Sequence, residues 1–263
     1  MSDWLHNLPL AWMALAVFGF TYLTAALIHI FVMVLAKGER AHAFKAVSPG
    51  VLSPLGILFA LFVAFTASQV WNDTERANTA VAHEASALCT VLFLAVSFPG
   101  EPQAQMSALI RRYVEEAANR EWPLMARENA ALPITPKPLA EALGLALALT
   151  PGNKGQETAQ REITTALGEA LEARRQRIII SRSQVNLVKW SCLFVQAIAT
   201  FFTIALVHCD NRVAASLAMA VFAAGVAASL LLIASHDRPF TGDISVRPDP
   251  LLHVMPEIEA SRK

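Results

Sequence analysis

The sequence predicts an all-α membrane protein with four transmembrane helices, whose long helices extend into a cytoplasmic helical stalk. Hydrophobic residues make up 55% of the chain and charged residues 16%, whereas a typical soluble domain carries about 25% charged residues. Apolar runs long enough to cross a bilayer occur four times. One polar section, residues 99–185, separates the first pair of runs from the second.

The first apolar run predicts a span over residues 9–36. Pro9 suits the first turn of a helix, where its missing N–H costs nothing. His29 lies inside this span, and an ionisable group at membrane depth is a functional candidate. The alternative is a neutral histidine that is hydrogen-bonded inside the helix bundle.

The second span begins near Pro54, and its helix is predicted to continue beyond the bilayer. No proline or glycine interrupts the chain between Gly56 and Pro99. The sequence turns polar after Trp71, but apolar residues still recur at near-helical spacing. Such a helix reaches roughly 65 Å, against about 30 Å for a bilayer core. We therefore expect its second half to belong to a water-side stalk.

The rest of the chain is predicted from helix signals and proline positions. The charged helix at 156–183 has no stop signal before the third span, so we expect a second long helix that mirrors the first. The tail from His236 contains four prolines and is predicted to be extended. The predicted segments are a surface helix 103–121, an irregular stretch 122–138, a helix 138–149, the charged helix 156–183, and spans three and four at 186–208 and 213–235.

The chain is thus predicted to have four parts, and basic residues predict their orientation. Cytoplasmic segments carry an excess of Lys and Arg. The side shared by both termini and residues 98–185 has more of them, so we place the termini in the cytoplasm, although Lys37–Lys45 is a local exception. The parts are 1–98 (spans one and two with the helix extension), 99–185 (cytoplasmic helical region), 186–235 (spans three and four) and 236–263 (tail). The basic residues are Arg111, Arg112, Arg174, Arg175, Arg177, Arg182, Arg238 and Arg247 on that side, and Lys37, Arg40, Lys45 and Arg212 on the other.

Several classes of function have no support in the sequence. The formal net charge is zero and no basic block with interleaved aromatics occurs, so nucleic acid is not an expected partner. Cys89, Cys192 and Cys209 are far apart, lack metal-ligand spacing, and are interpreted as small buried hydrophobes. Motifs for nucleotide binding, zinc hydrolysis or a serine nucleophile are missing. We therefore expect the protein to have no enzymatic activity and to bind neither a metal ion nor a cofactor.

The second span carries the candidate functional residues. Ser53, Ile57 and Leu61 recur at four-residue spacing and share one helix face. If copies of this helix surround an axis, these residues form a hydrophobic constriction, which can gate by dewetting. The alternative is that the same face contacts lipid or another span.

Polar side chains follow this face where the helix leaves the bilayer. They are interpreted as the lining of a wider vestibule, or as contacts between subunits. Asp73 and Arg76 stand three residues apart, so they could also simply pair. The set is Gln69, Trp71, Asn72, Asp73, Glu75 and Arg76.

The stretch SPLGILFALFVAFTASQVWNDTE resembles the second span of bestrophins, which are pentameric ion channels. Those proteins carry a proline at its start and a Trp-Asn-x-x-Glu motif at its cytoplasmic end, matched here by Pro54, Trp71, Asn72 and Glu75. The tail DRPFTGD is similar to the family's Asn-Pro-Phe-Gly segment. As a whole, the chain is most similar to bacterial bestrophin-like proteins of unknown function.

The resemblance implies a homo-oligomeric ion channel, most simply a pentamer, in a bacterial inner membrane. It implies that the family's neck residues fall on Ser53, Ile57 and Leu61, and that the partners are membrane lipid, inorganic ions and further copies of the chain. The alternative function is a non-conducting membrane scaffold or signalling protein whose cytoplasmic helices bind a partner.

Departures from the family pattern leave the permeant ion open. Ile57 and Leu61 replace the phenylalanines of animal members. The tail retains only Asp243 and Asp249 of an acidic run that completes a calcium clasp in the family, so calcium gating is not expected. Because bacterial relatives include cation-selective channels, the sign of the permeant ion cannot be carried over.

Overall fold

The computed structural model describes residues 8–36, 44, 49–127 and 136–255, and no strand occurs among them. A 3₁₀ turn, Pro49–Val51, precedes the second helix, and a π-helical turn, Ala117–Glu121, separates the third helix from the fourth. The helices are α1 (Leu10–Leu35), α2 (Leu52–Ala95), α3 (Glu101–Glu116), α4 (Trp122–Ala126), α5 (Lys137–Ala148), α6 (Lys154–Ile180), α7 (Leu187–Val207), α8 (Arg212–His236) and α9 (Asp249–Leu252).

The prediction of an all-α protein with four membrane spans is confirmed. α1, α2, α7 and α8 are each long and apolar enough to cross a membrane. Their positions agree with the predicted spans, since α1 covers Leu10–Leu35 within the predicted 9–36.

The second helix is continuous over 44 residues, Leu52–Ala95, which corresponds to about 66 Å. Pro54 lies in its first turn, where proline is tolerated. It ends four residues before Pro99. Gly100 follows with φ +90°, a left-handed conformation that glycine adopts at little cost. The predicted uninterrupted helix is confirmed.

The described chain divides into two compact units. The membrane unit contains α1, the part of α2 up to Asn72, α7 and α8. The helical unit contains the part of α2 from Asp73, together with α3 to α6 and α9. Each unit has its own core of buried hydrophobic residues.

In the membrane unit, α1 packs against both α7 and α8. The rings of Phe20 and Phe194 lie 6.3 Å apart, and those of Phe31 and Phe202 lie 6.1 Å apart. Because residue numbers rise together in these pairs, α1 and α7 run in the same direction, as spans one and three of an alternating bundle must. Small residues of α8, including the fully buried Ala223, allow close helix approach.

In the helical unit, α3 packs against α5, and α5 against α6. The buried side of α2 contributes a stripe of small and medium residues to the core. On the surface, Arg112 and Glu116 form the predicted i,i+4 pair at 3.3 Å. The core residues from α2 are Ala77, Ala80, Val81, Ala85, Ala87, Leu88, Val91 and Ala95.

The prediction of a second continuous helix from 156 into the third span is wrong. α6 ends at Ile180, and α7 begins at Leu187. In this region, side-chain oxygens accept hydrogen bonds from backbone N–H groups. In a continuous helix these N–H groups would bond to backbone carbonyls instead, so such side chains disfavour the helix. Asn186 accepts a hydrogen bond from Val188, and Asp237 accepts one from Val185.

Two other segments also differ from expectation. Residues 117–126, predicted to be partly irregular, are helical as the π turn and α4, whereas residues 128–135 lie outside the described chain. The tail, predicted to be extended, contains the one-turn helix α9. Three of the basic residues used to predict orientation, Lys37, Arg40 and Lys45, also lie outside the described residues.

Candidate functional site

The predicted gate residues Ser53, Ile57 and Leu61 are all exposed on α2 within the membrane unit. Ile57 is 65% exposed and Leu61 47%. The other side of α2 packs inward, where the buried ring of Phe59 lies 5.8 Å from that of Phe222 on α8. The structure therefore places the three residues on a side of α2 that the other described residues do not cover.

Exposed residues also recur at helical spacing along the part of α2 that belongs to the helical unit, where the other described residues leave them uncovered. Between the two groups of residues, Trp71 and Asn72 are exposed as well. We call this side the open face of α2. Its exposed members are Ser53, Ile57, Leu61, Ala64 and Ser68 in the membrane unit, and Glu75, Thr79, Ala82, Ser86, Thr90 and Phe93 in the helical unit.

The predicted vestibule residues of the membrane unit lie beside the other spans. Gln69 is half-buried and accepts a hydrogen bond from the ammonium group of Lys189, on the first turn of α7. The exposed ring of Trp71 lies 6.2 Å from that of His236, at the end of α8. Sequence reasoning missed Lys189 because nothing in the chain order brings it near Gln69.

The predicted vestibule residues of the helical unit separate into a pair and a single carboxylate. Asp73 lies 3.7 Å from Arg76 and accepts a hydrogen bond from the Ser183 hydroxyl at 3.1 Å. The alternative that Asp73 and Arg76 pair is thus observed. Glu75 is exposed and forms no hydrogen bond or ion pair with any residue that the structure describes.

A buried network of charged side chains lies on the opposite side of α2. The Arg177 guanidinium donates to both oxygens of Glu84, at 2.7 and 3.0 Å, and to Glu121 at 3.0 Å. Arg174 donates to Glu121 at 2.6 Å. Glu84 and Arg177 are 0% exposed. Burying charge is costly unless it is paired, and here two carboxylates balance two guanidinium groups.

Two aromatic side chains complete this network. Tyr113 donates its hydroxyl proton to Glu84, and the Trp122 ring lies 4.5 Å from the centre of the Arg177 guanidinium. Burial and the neighbouring Glu84 carboxylate raise the pKa of Tyr113 well above its usual range, so the hydroxyl stays protonated. Burial alone lowers the pKa of Arg177, but Glu84 raises it above its ordinary value, so the guanidinium stays charged.

The Bestrophin-like domain family model matches residues 19–251, which is most of the chain. The chain belongs to the Bestrophin-like domain family. No curated protein and no solved structure matches it. The family match and the four apolar helices together show that the chain is an integral membrane protein. The predicted resemblance to bestrophin-like proteins is confirmed.

Within the Bestrophin-like domain, the π turn positions one member of the buried network. Pro123 cannot donate a backbone hydrogen bond, and its ring crowds the carbonyl four residues earlier. The wider turn avoids this conflict, and the N–H of Trp122 bonds to the carbonyl of Ala117 instead. Glu121, the last residue of the turn, then lies buried between Arg174 and Arg177. π turns often occur at functional sites.

A signal for this network was present in the Bestrophin-like sequence. Glu84 stands three residues after Val81 and four before Leu88, where helical spacing expects an apolar side chain. Arg174 likewise follows Leu167 and Ala170 on the buried side of α6. A charged residue on an apolar stripe requires a partner of opposite charge, but the sequence does not say which one.

Two other polar groups singled out in the sequence, Asp243 and His29, lie in the membrane unit. Asp243 accepts a hydrogen bond from the backbone N–H of Leu10, at the start of α1, at 2.8 Å. His29 is half-buried, and its Nδ1 atom has no hydrogen-bond partner among the described residues.

Proposed function

We propose that the chain is a homo-oligomeric ion channel, most simply a pentamer, in which α2 lines the passage. Ile57 and Leu61 form a hydrophobic constriction with Ser53 at its outer rim, and the segment Gln69–Arg76 lines the vestibule or joins subunits. The observation that carries this proposal is the open face of α2, which is exposed along the whole helix. Membership in the Bestrophin-like domain family supports it.

The composition of the open face favours an assembly over simple exposure. In the membrane unit an apolar face could contact lipid. The helical unit is different, because surfaces in water are usually rich in charged residues. Yet between Arg76 and Glu101 the only acidic or basic residues are His83 and the buried Glu84. Phe93 is 80% exposed. A face of this kind is suited to surround an axis shared with other copies.

We place the helical unit and both termini in the cytoplasm of a bacterial cell, with the four spans in the inner membrane. Basic residues near the ends of the spans support this orientation. Arg174 and Arg177 are neutralised in the buried network, but the exposed Arg111, Arg112 and Arg175 remain on the same side.

The test is whether a thiol reagent blocks the ion current when a cysteine stands at the proposed constriction. Ile57→Cys is made in a chain whose three cysteines are replaced by serine, and the purified protein is reconstituted in a planar bilayer. A charged, water-soluble thiol reagent is expected to block the current, because it reaches the site through water. Leu217→Cys on α8 is the matched control, since Leu217 and Ile57 are each 65% exposed.

The possible results separate the proposed functions. Current that is blocked in the Ile57 variant and unchanged in the Leu217 variant supports a passage lined by α2. Equal responses in both variants contradict the assigned lining. Liposomes that hold an ion gradient despite carrying the protein favour the alternative, a non-conducting scaffold whose helical unit binds a partner.

A further inference from the structure

We infer that Tyr22 of one copy and Gln196 of the next copy form a hydrogen bond in the middle of the membrane. Such a bond rests on the proposed function, because it needs an oligomer, and it deepens that function by naming a contact between subunits. Both residues belong to the membrane unit. Their depth, their directions and their missing partners indicate the contact.

Gln196 lies at the middle of the 21-residue span α7. Its amide oxygen is buried and has no hydrogen-bond partner among the described residues. Lipid chains offer neither donors nor acceptors, so a polar side chain at this depth is costly unless another polar group meets it. The nearby Thr200 hydroxyl does not help, because it donates to the backbone carbonyl of Gln196. The amide therefore needs a partner from elsewhere.

Tyr22 is a second polar group in the middle of the bilayer without a described partner. It lies at the middle of the 26-residue span α1, is 40% exposed, and forms no hydrogen bond with any described residue. Tyrosines of membrane proteins are enriched at the headgroup level, where the hydroxyl reaches water. Tyr22 is too deep for that position, although its hydroxyl can both donate and accept a hydrogen bond.

The two side chains lie at the same depth. α1 and α7 run in the same direction, and the rings of Phe20 and Phe194 lie 6.3 Å apart. Tyr22 follows Phe20 by two residues, and Gln196 follows Phe194 by two residues. Each polar residue is thus displaced by about 3 Å along its helix from the same ring contact.

The two side chains also point in opposite directions. Two residues along an α-helix correspond to a rotation of about 200°, so each side chain points about 160° away from the phenylalanine that precedes it. Tyr22 therefore points away from α7, and Gln196 points away from α1. They lie on opposite sides of the α1–α7 pair and cannot meet within one chain.

α2 lies beside α7 on the side that carries Gln196, but it leaves the amide without a partner. Lys189 precedes Gln196 by seven residues, about two turns, and donates to Gln69 of α2. Phe62 precedes Gln69 by seven residues on the antiparallel α2, so it lies near the depth of Gln196. Its side chain has no hydrogen-bonding group. Phe62 is 37% exposed and Gln196 is half-buried, so the described residues cover this edge only partly.

The side of α1 that carries Tyr22 contains another unmet polar group. His29 follows Tyr22 by seven residues, so the two side chains point in nearly the same direction. The Nδ1 atom of His29 is buried and has no hydrogen-bond partner among the described residues. Two unmet polar groups at one edge of the membrane unit indicate that another protein surface meets this edge.

Unmet polar groups at two opposite edges suit a head-to-tail assembly of identical copies. A contact that joins two different patches repeats around one axis until a ring closes. All copies stand parallel in such a ring, so equal depth within one chain becomes equal depth across the interface. The Tyr22 hydroxyl then donates to the amide oxygen of Gln196. The last torsion of a glutamine side chain is broad, so the amide can turn to present its oxygen.

The experiment measures self-association of the full chain in liposomes, by energy transfer between copies labelled at the amino terminus with donor or acceptor dyes. Dilution with lipid separates the copies, and the loss of transfer gives an association constant. Tyr22→Phe removes only the hydroxyl, and Gln196→Leu removes the amide at similar size. Each variant is expected to weaken association about threefold to tenfold per interface, the scale for one hydrogen bond between membrane helices. The double variant is expected to lose no more than either single variant, because both break the same bond.

Thr24→Val on α1 is the matched control, because the Thr24 hydroxyl already donates to the carbonyl of Phe20 in its own helix. This variant is expected to associate like the unmodified protein. Losses that simply add in the double variant overturn the inference. A loss confined to Gln196→Leu also overturns it, since that result is expected if the amide binds water in a passage.

Ion flux from the same liposomes separates the contact from the proposed function. Conducting, associated protein that loses no association in Tyr22→Phe or Gln196→Leu overturns the inference while the channel proposal stands. Associated protein that shows the expected losses but holds an ion gradient supports the contact and contradicts the channel. Protein that stays monomeric in the liposomes overturns the proposed homo-oligomer, and the inference with it.

Discussion

Replacing Glu84 with glutamine tests how much the buried charge network stabilises the helical unit. Glutamine keeps the size of the side chain and removes its charge. Arg177 then loses the carboxylate that it contacts at 2.7 and 3.0 Å, and Tyr113 and Arg177 are left to share the single amide oxygen of the glutamine. The remaining carboxylate, Glu121, has to serve two guanidinium groups, so one positive charge is left buried without compensation.

The expected cost follows from burial. Removing one partner of a fully buried ion pair typically destabilises a protein by about 3–5 kcal/mol. The exposed pair of Arg112 and Glu116, at 3.3 Å, is the internal reference, since pairs of this kind contribute about 0–1 kcal/mol. In soluble chains of comparable length, a loss of about 3–5 kcal/mol lowers Tm by roughly 6–20 °C. A loss of about 0–1 kcal/mol lowers Tm by at most roughly 4 °C.

Thermal unfolding of the purified protein in detergent, followed by tryptophan fluorescence, provides the measurement. Trp122, one of five tryptophans in the chain, lies 4.5 Å from the Arg177 guanidinium, so part of the fluorescence comes from the network itself. Glu116→Gln is the matched control. Combining Glu84→Gln with Arg177→Met restores the charge balance and is expected to recover part of the lost Tm. A Tm for Glu84→Gln that is no lower than that of Glu116→Gln refutes the reasoning. The reasoning is also refuted when the losses in Tm caused by Glu84→Gln and Arg177→Met simply add in the double variant.

Two other predictions concern the gate and alkaline pH. Ile57→Ala combined with Leu61→Ala widens the proposed constriction and is expected to raise single-channel conductance in a planar bilayer; unchanged conductance removes both residues from the gate. Because burial and Glu84 raise the pKa of Tyr113, the folded state keeps a proton that the unfolded state loses above about pH 10, so stability falls there by roughly 1.4 kcal/mol per pH unit. Tyr113→Phe is expected to flatten the decline in Tm above pH 10, and an equally steep decline in this variant contradicts the assignment.

The sequence contained enough information to predict the long elements. Apolar length alone locates the four spans, because a helix needs about 20 apolar residues to cross a bilayer. The continuity of α2 follows from the absence of proline and glycine between Gly56 and Pro99. That Ile57 and Leu61 share one side of α2 also follows from their four-residue spacing, although spacing alone cannot say what covers that side.

The parts that could not be predicted depend on contacts between distant segments. Between α6 and α7, the backbone N–H of Val185 donates to Asp237, which lies 52 residues farther along the chain. The partners Glu84 and Arg177 are separated by 93 residues. Local propensity carries no information about such pairs, so tertiary structure decides them.

Glu75 and Glu84 together explain how α2 can present one defined face. The two glutamates are nine residues apart, about two and a half turns, so they point in opposite directions. Rotating α2 about its own axis by about 100°, the angle between successive residues, moves Glu84 away from Arg177. The helical unit then contains an unpaired buried charge, which destabilises it by about 3–5 kcal/mol. The buried network therefore fixes the rotation of α2, and by doing so it fixes the direction in which Glu75 points.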